Sequence, residues 1–207
     1  MTENELKSRI QNRIGFEINA RQRALRGDHD LNPDPSGTST GQRALKPAAV
    51  LIPIIERTGG MQVLFTRRAD HLARHAGQVS FPGGRVNDGE VNALDAALRE
   101  TEEEVGLPRQ FVTICGDLDM YETGTGFSIH PFVGMVREGF ELKIDPAEVA
   151  EVFEVPLVYL MDQRNHEQRS AIWQGRERRY YAMTYGRHYI WGATAGILIN
   201  LYECLYG

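Results

Sequence analysis

Four glutamates, Glu100, Glu102, Glu103 and Glu104, fall within five consecutive positions of this sequence. The run 91–105 that contains them is predicted to form a helix, because its apolar side chains fall in one stripe at helical spacing. On that helix Glu100, Glu103 and Glu104 lie together at positions i, i+3 and i+4, away from the apolar stripe. Glu102 flanks the stripe instead. Three of the four acids are therefore expected to converge.

Three carboxylates at the C-terminal end of a helix repel one another and oppose the helix dipole. A hard divalent cation such as Mg²⁺ or Mn²⁺ relieves both effects, and it prefers such carboxylate ligands. A solvated acidic surface is the alternative, and the four glutamates alone favour that alternative. Two neighbours favour the metal site. Arg99 precedes the cluster and is expected to hold one acid, and Gly84 ends a Pro-Gly-Gly turn from which its carbonyl is expected to face the metal.

The residues from Gly84 to Leu107 resemble the Nudix box, G-x5-E-x7-R-E-U-x-E-E-x-G-U, in which U is aliphatic. All seven fixed non-aliphatic positions are filled. The sequence departs from the box at two points: eight residues separate Glu90 from Arg99 instead of seven, and Thr101 stands at an aliphatic position. The extra residue is expected to loosen the loop between Glu90 and the helix.

This resemblance implies an α/β fold of the α+β kind, the Nudix fold, with a mixed β-sheet sandwiched between helices. It implies metal-dependent hydrolysis of a nucleoside diphosphate linked to another moiety. The implied Mg²⁺ or Mn²⁺ ligands are the Gly84 carbonyl, Glu100, Glu103 and Glu104. Catalytic roles are implied for Glu103, Glu104 and Arg99, and for an acid from a distant loop, which we take to be Glu148. For Glu148, helix capping or solvent exposure is an equally good interpretation.

The preceding stretch, "LFTRRADHLARHAGQVSFPGG" from Leu64 to Gly84, resembles the signature of the coenzyme A pyrophosphatase branch, L-L-T-x-R-[SA]-x3-R-x3-G-x3-F-P-G-G. Phe65 replaces a Leu, and Ala73 stands where the signature has Arg, with Arg74 one place later. The resemblance implies coenzyme A or a derivative as substrate. The implied products are 4′-phosphopantetheine, or its acyl form, and adenosine 3′,5′-bisphosphate. The residues implied to bind the substrate are Arg68, Arg74, Gly77 and Phe81.

Several alternatives stay open at this stage. Arg74 is also interpretable as a surface charge, and Phe81 as a core residue. Another nucleoside diphosphate derivative, such as ADP-ribose or a dinucleotide, would suit the same chemistry. A non-catalytic nucleotide-sensing module is the third hypothesis, but such modules are expected to lose acids of the box, and none is lost here.

The composition indicates an ordinary globular chain of 207 residues, with 42% hydrophobic and 25% charged residues. The formal net charge of −5 argues against a general nucleic-acid or membrane-surface binder. With no apolar signal or spanning segment in view, a soluble cytoplasmic protein is expected. The expected partner is a small-molecule nucleotide, and a homodimer is left open.

The chain is predicted to divide into an N-terminal part, 1–46, and a Nudix hydrolase domain, 47–207. The N-terminal part is predicted to contain an amphipathic helix over 3–25 and a flexible linker over 27–42. The runs "PAAVLIPII" and "MQVLFT" are predicted to form a hairpin. Strands are also predicted at 111–121 and 127–137, followed by a short helix near 156–161 and a strand region at 168–185. The chain is predicted to close with an amphipathic helix, "WGATAGILINLYECLYG".

Overall fold

The computed structural model describes residues 2–14, 25–33, 44–173 and 175–207. In these residues the helices are α1 Glu3–Ile14, α2 Ala93–Val105, α3 Leu157–Leu160 and α4 Ala193–Tyr206. The first strands are β1 Arg26–Gly27, β2 Lys46–Arg57, β3 Gly60–Arg68, β4 Val79–Ser80, β5 Gly83–Arg85 and β6 Val112–Asp117. The remaining strands are β7 Tyr121–Glu122, β8 Phe127–Val136, β9 Val149–Pro156, β10 Glu167–Trp173, β11 Arg176–Tyr185 and β12 His188–Trp191.

A large mixed sheet forms the centre of the fold. Its main path runs β1-β7-β8-β2-β3-β4, while β5 pairs with β2, β6 with β8 and β9 with β3. β2 is antiparallel to β3 in the predicted hairpin and parallel to β8 along ten residue pairs. A smaller antiparallel sheet is built from β10, β11 and β12 in that order. The prediction of a mixed α/β architecture is confirmed.

Both faces of the large sheet are buried, because side chains of β2 alternate between two apolar clusters. Ile52 and Ile54 belong to the larger cluster, to which α4 contributes. Leu51 and Ile55 belong to the smaller cluster, together with Ala96, Ala97 and Val105 of α2. The sheet therefore lies between helices, and α2 covers the face opposite to α4.

The N-terminal predictions are met only in part. The predicted helix over 3–25 is described as α1, and its continuation through 15–24 lies outside the described residues. Leu6 and Ile10 of α1 are fully buried in the same cluster as Ile52. The predicted linker over 27–42 overlaps the end of β1, which pairs in parallel with β7, and residues 34–42 of the linker lie outside the described part.

Two predictions about the C-terminal third need correction. The run 168–185 is not one strand but the hairpin of β10 and β11. The closing helix is not amphipathic, since ten of its fourteen residues are buried. α4 packs against α1 and both sheets, so almost every side of the helix meets protein. In the described part of the chain, no helix is long and apolar enough to cross a membrane.

A glycine at position 83 lets β5 approach β2 closely. Gly83 lies opposite Val50 with φ of 148°, and a Cβ atom there would lie 2.3 Å from the Ala49 carbonyl oxygen. That separation is far below van der Waals contact, and the obstructing atom is a backbone oxygen of β2 and not the end of a flexible side chain. Only glycine therefore fits at this point of the β5–β2 pairing.

Replacing Gly83 with alanine is expected to destabilise the fold, because the new methyl group forces β5 away from β2. We expect Gly83→Ala to lower the free energy of unfolding by about 2 kcal/mol or more in urea titrations. Gly59→Ala is the matched control, since a Cβ at Gly59 meets nothing within 4 Å. Equal unfolding midpoints for the two variants would contradict this reading of the β5–β2 contact.

Candidate active site

Specific contacts at both ends fix the position of α2, the helix that carries the acidic cluster. At its N-terminus the Asn92 side chain accepts a hydrogen bond of 2.9 Å from the Asp95 N–H. At its C-terminus Gly106 adopts the left-handed conformation with φ of 70°. The N–H groups of Lys143 and Asp145 donate to the carbonyls of Val105 and Glu104. The loop before β9 thus satisfies carbonyls that a helix end leaves without partners.

Glu104 is the most buried acid of the cluster, with 4% of the residue exposed. Its Oε2 accepts a hydrogen bond of 3.1 Å from the Gly83 N–H. The nearest guanidinium nitrogen of Arg68 lies 3.9 Å from Oε1, at the outer limit of an ion pair. Burial raises the pKa of Glu104 to about 8, against the opposing effects of Gly83 and Arg68. Without a further cation nearby, this carboxyl is largely protonated at neutral pH.

The contact between Gly83 and Glu104 is not among the sequence-based predictions. The sequence points to Gly84 as the residue whose backbone faces the metal, with Gly83 as part of the turn. The signal available in the sequence was the presence of a glycine at position 83 in addition to Gly84. Because the Gly83 N–H donates to a buried carboxylate, this backbone group helps to hold Glu104 in place.

Arg68 extends from β3 towards Glu104, and strand alternation sends Arg67 to the other face, as predicted. Arg67 forms an ion pair of 2.6 Å with Asp70. In the described part of the structure, the buried Nε of Arg68 has no hydrogen-bond partner. The Arg68 side chain therefore has unused donor capacity beside the acidic cluster.

Glu100 and Gly84 lie against each other. A Cβ atom at Gly84 would lie 2.4 Å from the Glu100 carboxyl carbon, so only glycine permits this approach. Burial raises the pKa of Glu100, while Arg99 acts in the opposite direction. The predicted proximity of the Gly84 backbone to the acids is thus a feature of the structure.

Arg99 binds three acids through its three nitrogens. Nε lies 2.9 Å from Glu90, Nη2 lies 2.9 Å from Glu100, and Nη1 lies 2.8 Å from Glu103. Hydrogen bonds from Arg99 and from the Asn87 N–H lower the pKa of Glu90. The extra residue after Glu90 therefore does not loosen this contact, and that expectation was wrong. The Asn87–Glu90 turn holds the carboxylate within reach of Arg99.

The expectation that three carboxylates converge also needs correction. The Glu103 side chain is 60% exposed and points to Arg99, while Glu104 is buried next to Gly83. Among the described residues, no group of three or more His, Cys, Asp or Glu side chains is arranged to share a metal ion. Glu102 is exposed and makes no part of the cluster. Glu100 and Glu103 instead share the Arg99 guanidinium group, while Glu104 lies next to Gly83.

Glu148 lies beside the cluster on the loop that covers the end of α2. Its backbone carbonyl accepts from the Ala69 N–H at 2.9 Å, which connects this loop to the end of β3. Its N–H donates to the Asp145 carbonyl at 3.1 Å. The charge of Glu148 contributes to the raised pKa values of Glu100 and Glu104. The side chain is exposed, so it has access to solvent and to any bound ligand.

These residues fit a hard divalent cation. Burial, with a smaller contribution from neighbouring carboxylates, raises the pKa values of Glu100 and Glu104, and a bound cation would stabilise their ionised forms. Glu100 and Glu104 carry carboxylate oxygens, the type of ligand that Mg²⁺ and Mn²⁺ prefer, and the Gly84 backbone lies against Glu100. Glu103 and Glu148 are exposed, so their side chains have room to reorient towards the same point.

The predicted substrate-binding residues lie in different environments. Arg74 is exposed on the loop between β3 and β4. Gly77 adopts a φ of 68°, and its N–H donates to the Arg68 carbonyl, which shapes the same loop. Phe81 is only 3% exposed and stacks on Phe65 at 5.0 Å, so its predicted contact with substrate is corrected to a core role.

The family model and the relatives that match by sequence indicate one family. The NUDIX domain model matches residues 45–174. The uncharacterized Nudix hydrolase NudL of Photorhabdus laumondii is 39% identical over 171 residues, 83% of this chain and 89% of that protein. NudL of Escherichia coli K12, likewise uncharacterized, is 38% identical over 156 residues, 75% and 81% of the two chains. A C. elegans Ap4A hydrolase binary complex is 20% identical with a TM-score of 0.47, covering 54% of this chain and 80% of that chain.

The buried acid makes the stability of the metal-free protein depend on pH. The pKa of Glu104 is about 8 in the folded chain against 4.5 when unperturbed, so the folded state binds more protons between these values. Stability must then fall as pH rises through this window. In the presence of a chelator, we compare the free energy of unfolding of Glu104→Gln with that of the wild type. We expect this difference to shift in favour of Glu104→Gln by about 1–3 kcal/mol between about pH 5 and about pH 8.

Urea titrations at several pH values measure this difference. Glu102→Gln is the control, because Glu102 is exposed on the same helix and should leave the pH dependence unchanged. A difference between Glu104→Gln and wild type that stays constant with pH would contradict the raised pKa of Glu104.

Proposed function

The chain belongs to the Nudix hydrolase family, and on this premise we propose that it hydrolyses the diphosphate bond of coenzyme A or a derivative. The proposed products are 4′-phosphopantetheine, or its acyl form, and adenosine 3′,5′-bisphosphate. Enzymes of this family act on nucleoside diphosphate derivatives and generally use divalent metal ions. Mg²⁺ or Mn²⁺ is the cofactor we propose here.

The chemistry calls for charge neutralisation, because the anionic oxygens of a diphosphate repel a nucleophile. A bound divalent cation supplies that neutralisation and makes a bound water more acidic. In our proposal Glu100, Glu104 and the Gly84 carbonyl hold the cation, with Glu103 as a further ligand. Arg99 acts by positioning Glu100 and Glu103, to which it is bonded at 2.9 and 2.8 Å.

Glu148 and Arg68 have the properties that the remaining roles require. We assign Glu148 as the general base, because its exposed carboxylate lies close enough to Glu100 and Glu104 to raise their pKa values. We assign Arg68 as a donor to the diphosphate oxygens, because its partly exposed guanidinium group approaches the acids, with Nη1 3.9 Å from Glu104 Oε1. An arginine suits this role, since its guanidinium group matches the geometry of phosphate oxygens.

The choice of coenzyme A rests on one observation above the others. Arg68, the arginine of the coenzyme A pyrophosphatase signature, is the residue that extends from β3 to Glu104. Coenzyme A also carries a 3′-phosphate, so a chain with net charge −5 needs additional local cations to bind it. Arg74, exposed on the loop between β3 and β4, is the residue we propose for that second contact.

A side-by-side substrate assay tests the proposed function. The purified chain is incubated with coenzyme A, ADP-ribose or a dinucleotide in Mg²⁺, in Mn²⁺ and in chelator, and the products are resolved by chromatography. We expect metal-dependent loss of coenzyme A with formation of adenosine 3′,5′-bisphosphate. Hydrolysis of ADP-ribose alongside intact coenzyme A would overturn the substrate. Tight nucleotide binding without metal-dependent turnover of any compound would indicate a sensing module.

Amide substitutions separate the acids by role. Glu103→Gln and Glu104→Gln are each expected to lower kcat by roughly 10²–10⁴, the range for loss of a contact that stabilises the transition state. Each change removes one negative charge and leaves the side-chain volume almost unchanged. Steady-state kinetics on the preferred substrate, with circular dichroism to confirm folding, gives the comparison.

Glu102→Gln serves as the matched control in this series, because Glu102 is exposed on α2 and lies outside the cluster. We expect its kcat to stay within about threefold of wild type, as for surface substitutions away from special features. A similar loss at Glu102, Glu103 and Glu104 would mean that general negative charge, and not a specific carboxylate arrangement, is what the reaction needs.

A further inference from the structure

β10 has an outer edge, which faces away from β11. Among the residues that the structure describes, this seven-residue strand pairs with β11 alone. Apart from the partly buried Glu167, the residues of β10 are exposed, and Ile172 and Trp173 at its end are 75% and 45% exposed. An exposed edge with large apolar side chains is a template for pairing with another strand.

The contacts of β11 determine which backbone groups of β10 face this edge. The Arg179 N–H donates to Asn32 Oδ1, and Asn32 Nδ2 donates to the Arg179 carbonyl, both at 2.8 Å. Both backbone groups of Arg179 therefore point away from β10. Ser170 lies opposite Arg179, so this is a non-hydrogen-bonded pair, and the Ser170 N–H and carbonyl point to the outer edge.

The alternation of an antiparallel ladder extends this result along the strand. Gln168 and Ile172, two residues to either side of Ser170, also direct their backbone groups outward. The edge thus offers three N–H groups and three carbonyls. β10 contains no Pro or Lys, and its register with β11 shows no bulge. Its two charged residues, Glu167 and Arg169, neutralise each other in an ion pair.

We propose that β10 pairs antiparallel with β10 of a second copy of this chain, centred on Ser170. This register pairs Ser170 with its own symmetry mate and Gln168 with Ile172, so all six outward backbone groups find partners. Shifting the centre by one residue leaves some of them unpaired. The interface is isologous and closes the edge of both sheets, as a two-fold dimer requires.

The side chains of β10 suit this register. Ala171 faces Arg169 of the second copy, and the central residue is a serine, so nothing large lies at the two-fold axis. Trp173 lies opposite Glu167 of the second copy, whose carboxylate is already ion-paired with Arg169. A tryptophan over an ion-paired arginine gains a cation–π contact without leaving the acid unpaired.

Light scattering on the full chain tests the proposal first. We expect a mass of about twice the 23.3 kDa of one chain at micromolar concentration. Ser170→Pro removes only an outward N–H, which β11 does not use, so it should give a folded monomer by circular dichroism. Ser170→Ala, which keeps that N–H, should remain a dimer. A monomeric wild type, or a folded Ser170→Pro dimer, would overturn the proposal.

Cysteine cross-linking tests the register. In the proposed pairing the two Ser170 Cα atoms lie about 5.5 Å apart, within the span of a disulfide. Mild oxidation of Ser170→Cys should therefore give a covalent dimer on a non-reducing gel. Gln168→Cys is the control on the same edge, because its symmetry mate lies about 13 Å away. Both native cysteines are buried and should not contribute. Cross-linking through Gln168→Cys but not through Ser170→Cys would rule out this register.

Discussion

The site depends on the burial of one carboxylate at the last turn of a helix. Glu104 is almost fully enclosed and lies close to the negative end of the α2 dipole, and both conditions disfavour an ionised acid. Among the described residues, the Gly83 N–H and the more distant Arg68 partly offset its charge. The raised pKa of Glu104, caused mainly by burial, reflects this cost, which a bound cation would reduce.

The surrounding structure keeps this unfavourable group in place. The Gly83 N–H donates a hydrogen bond to Glu104. The Gly84 backbone lies against the Glu100 carboxyl group, at a distance that a side chain at Gly84 would not permit. Arg99 binds three acids and so reduces the repulsion between their carboxylates at the end of α2. The loop carrying Glu148 closes the helix C-terminus through its own N–H groups. The large sheet thus positions the glycines and Arg68, while α2 positions the acids.

The sequence predicted the helix, the hairpin and the contact of Arg99 with a neighbouring acid well, because these follow from local periodicity and from charges a few residues apart. It was less successful where long-range packing decides. Phe81 fits a binding role by motif, but it is buried against Phe65 of a neighbouring strand. α4 loses its expected polar face because α1 and both sheets surround it. Helical spacing predicts Glu103 next to Glu104. It does not by itself predict that the Glu103 side chain is exposed and paired with Arg99.

A crystal soaked in Mn²⁺ tests the central claim most directly, through the anomalous signal of the ion. The account predicts a manganese peak within coordination distance of Glu100, Glu104 and the Gly84 carbonyl, with Glu103 released from Arg99. An ion bound elsewhere, or a well-ordered soaked crystal in which Arg68 and Arg99 keep their contacts and no peak lies between these acids, would contradict it.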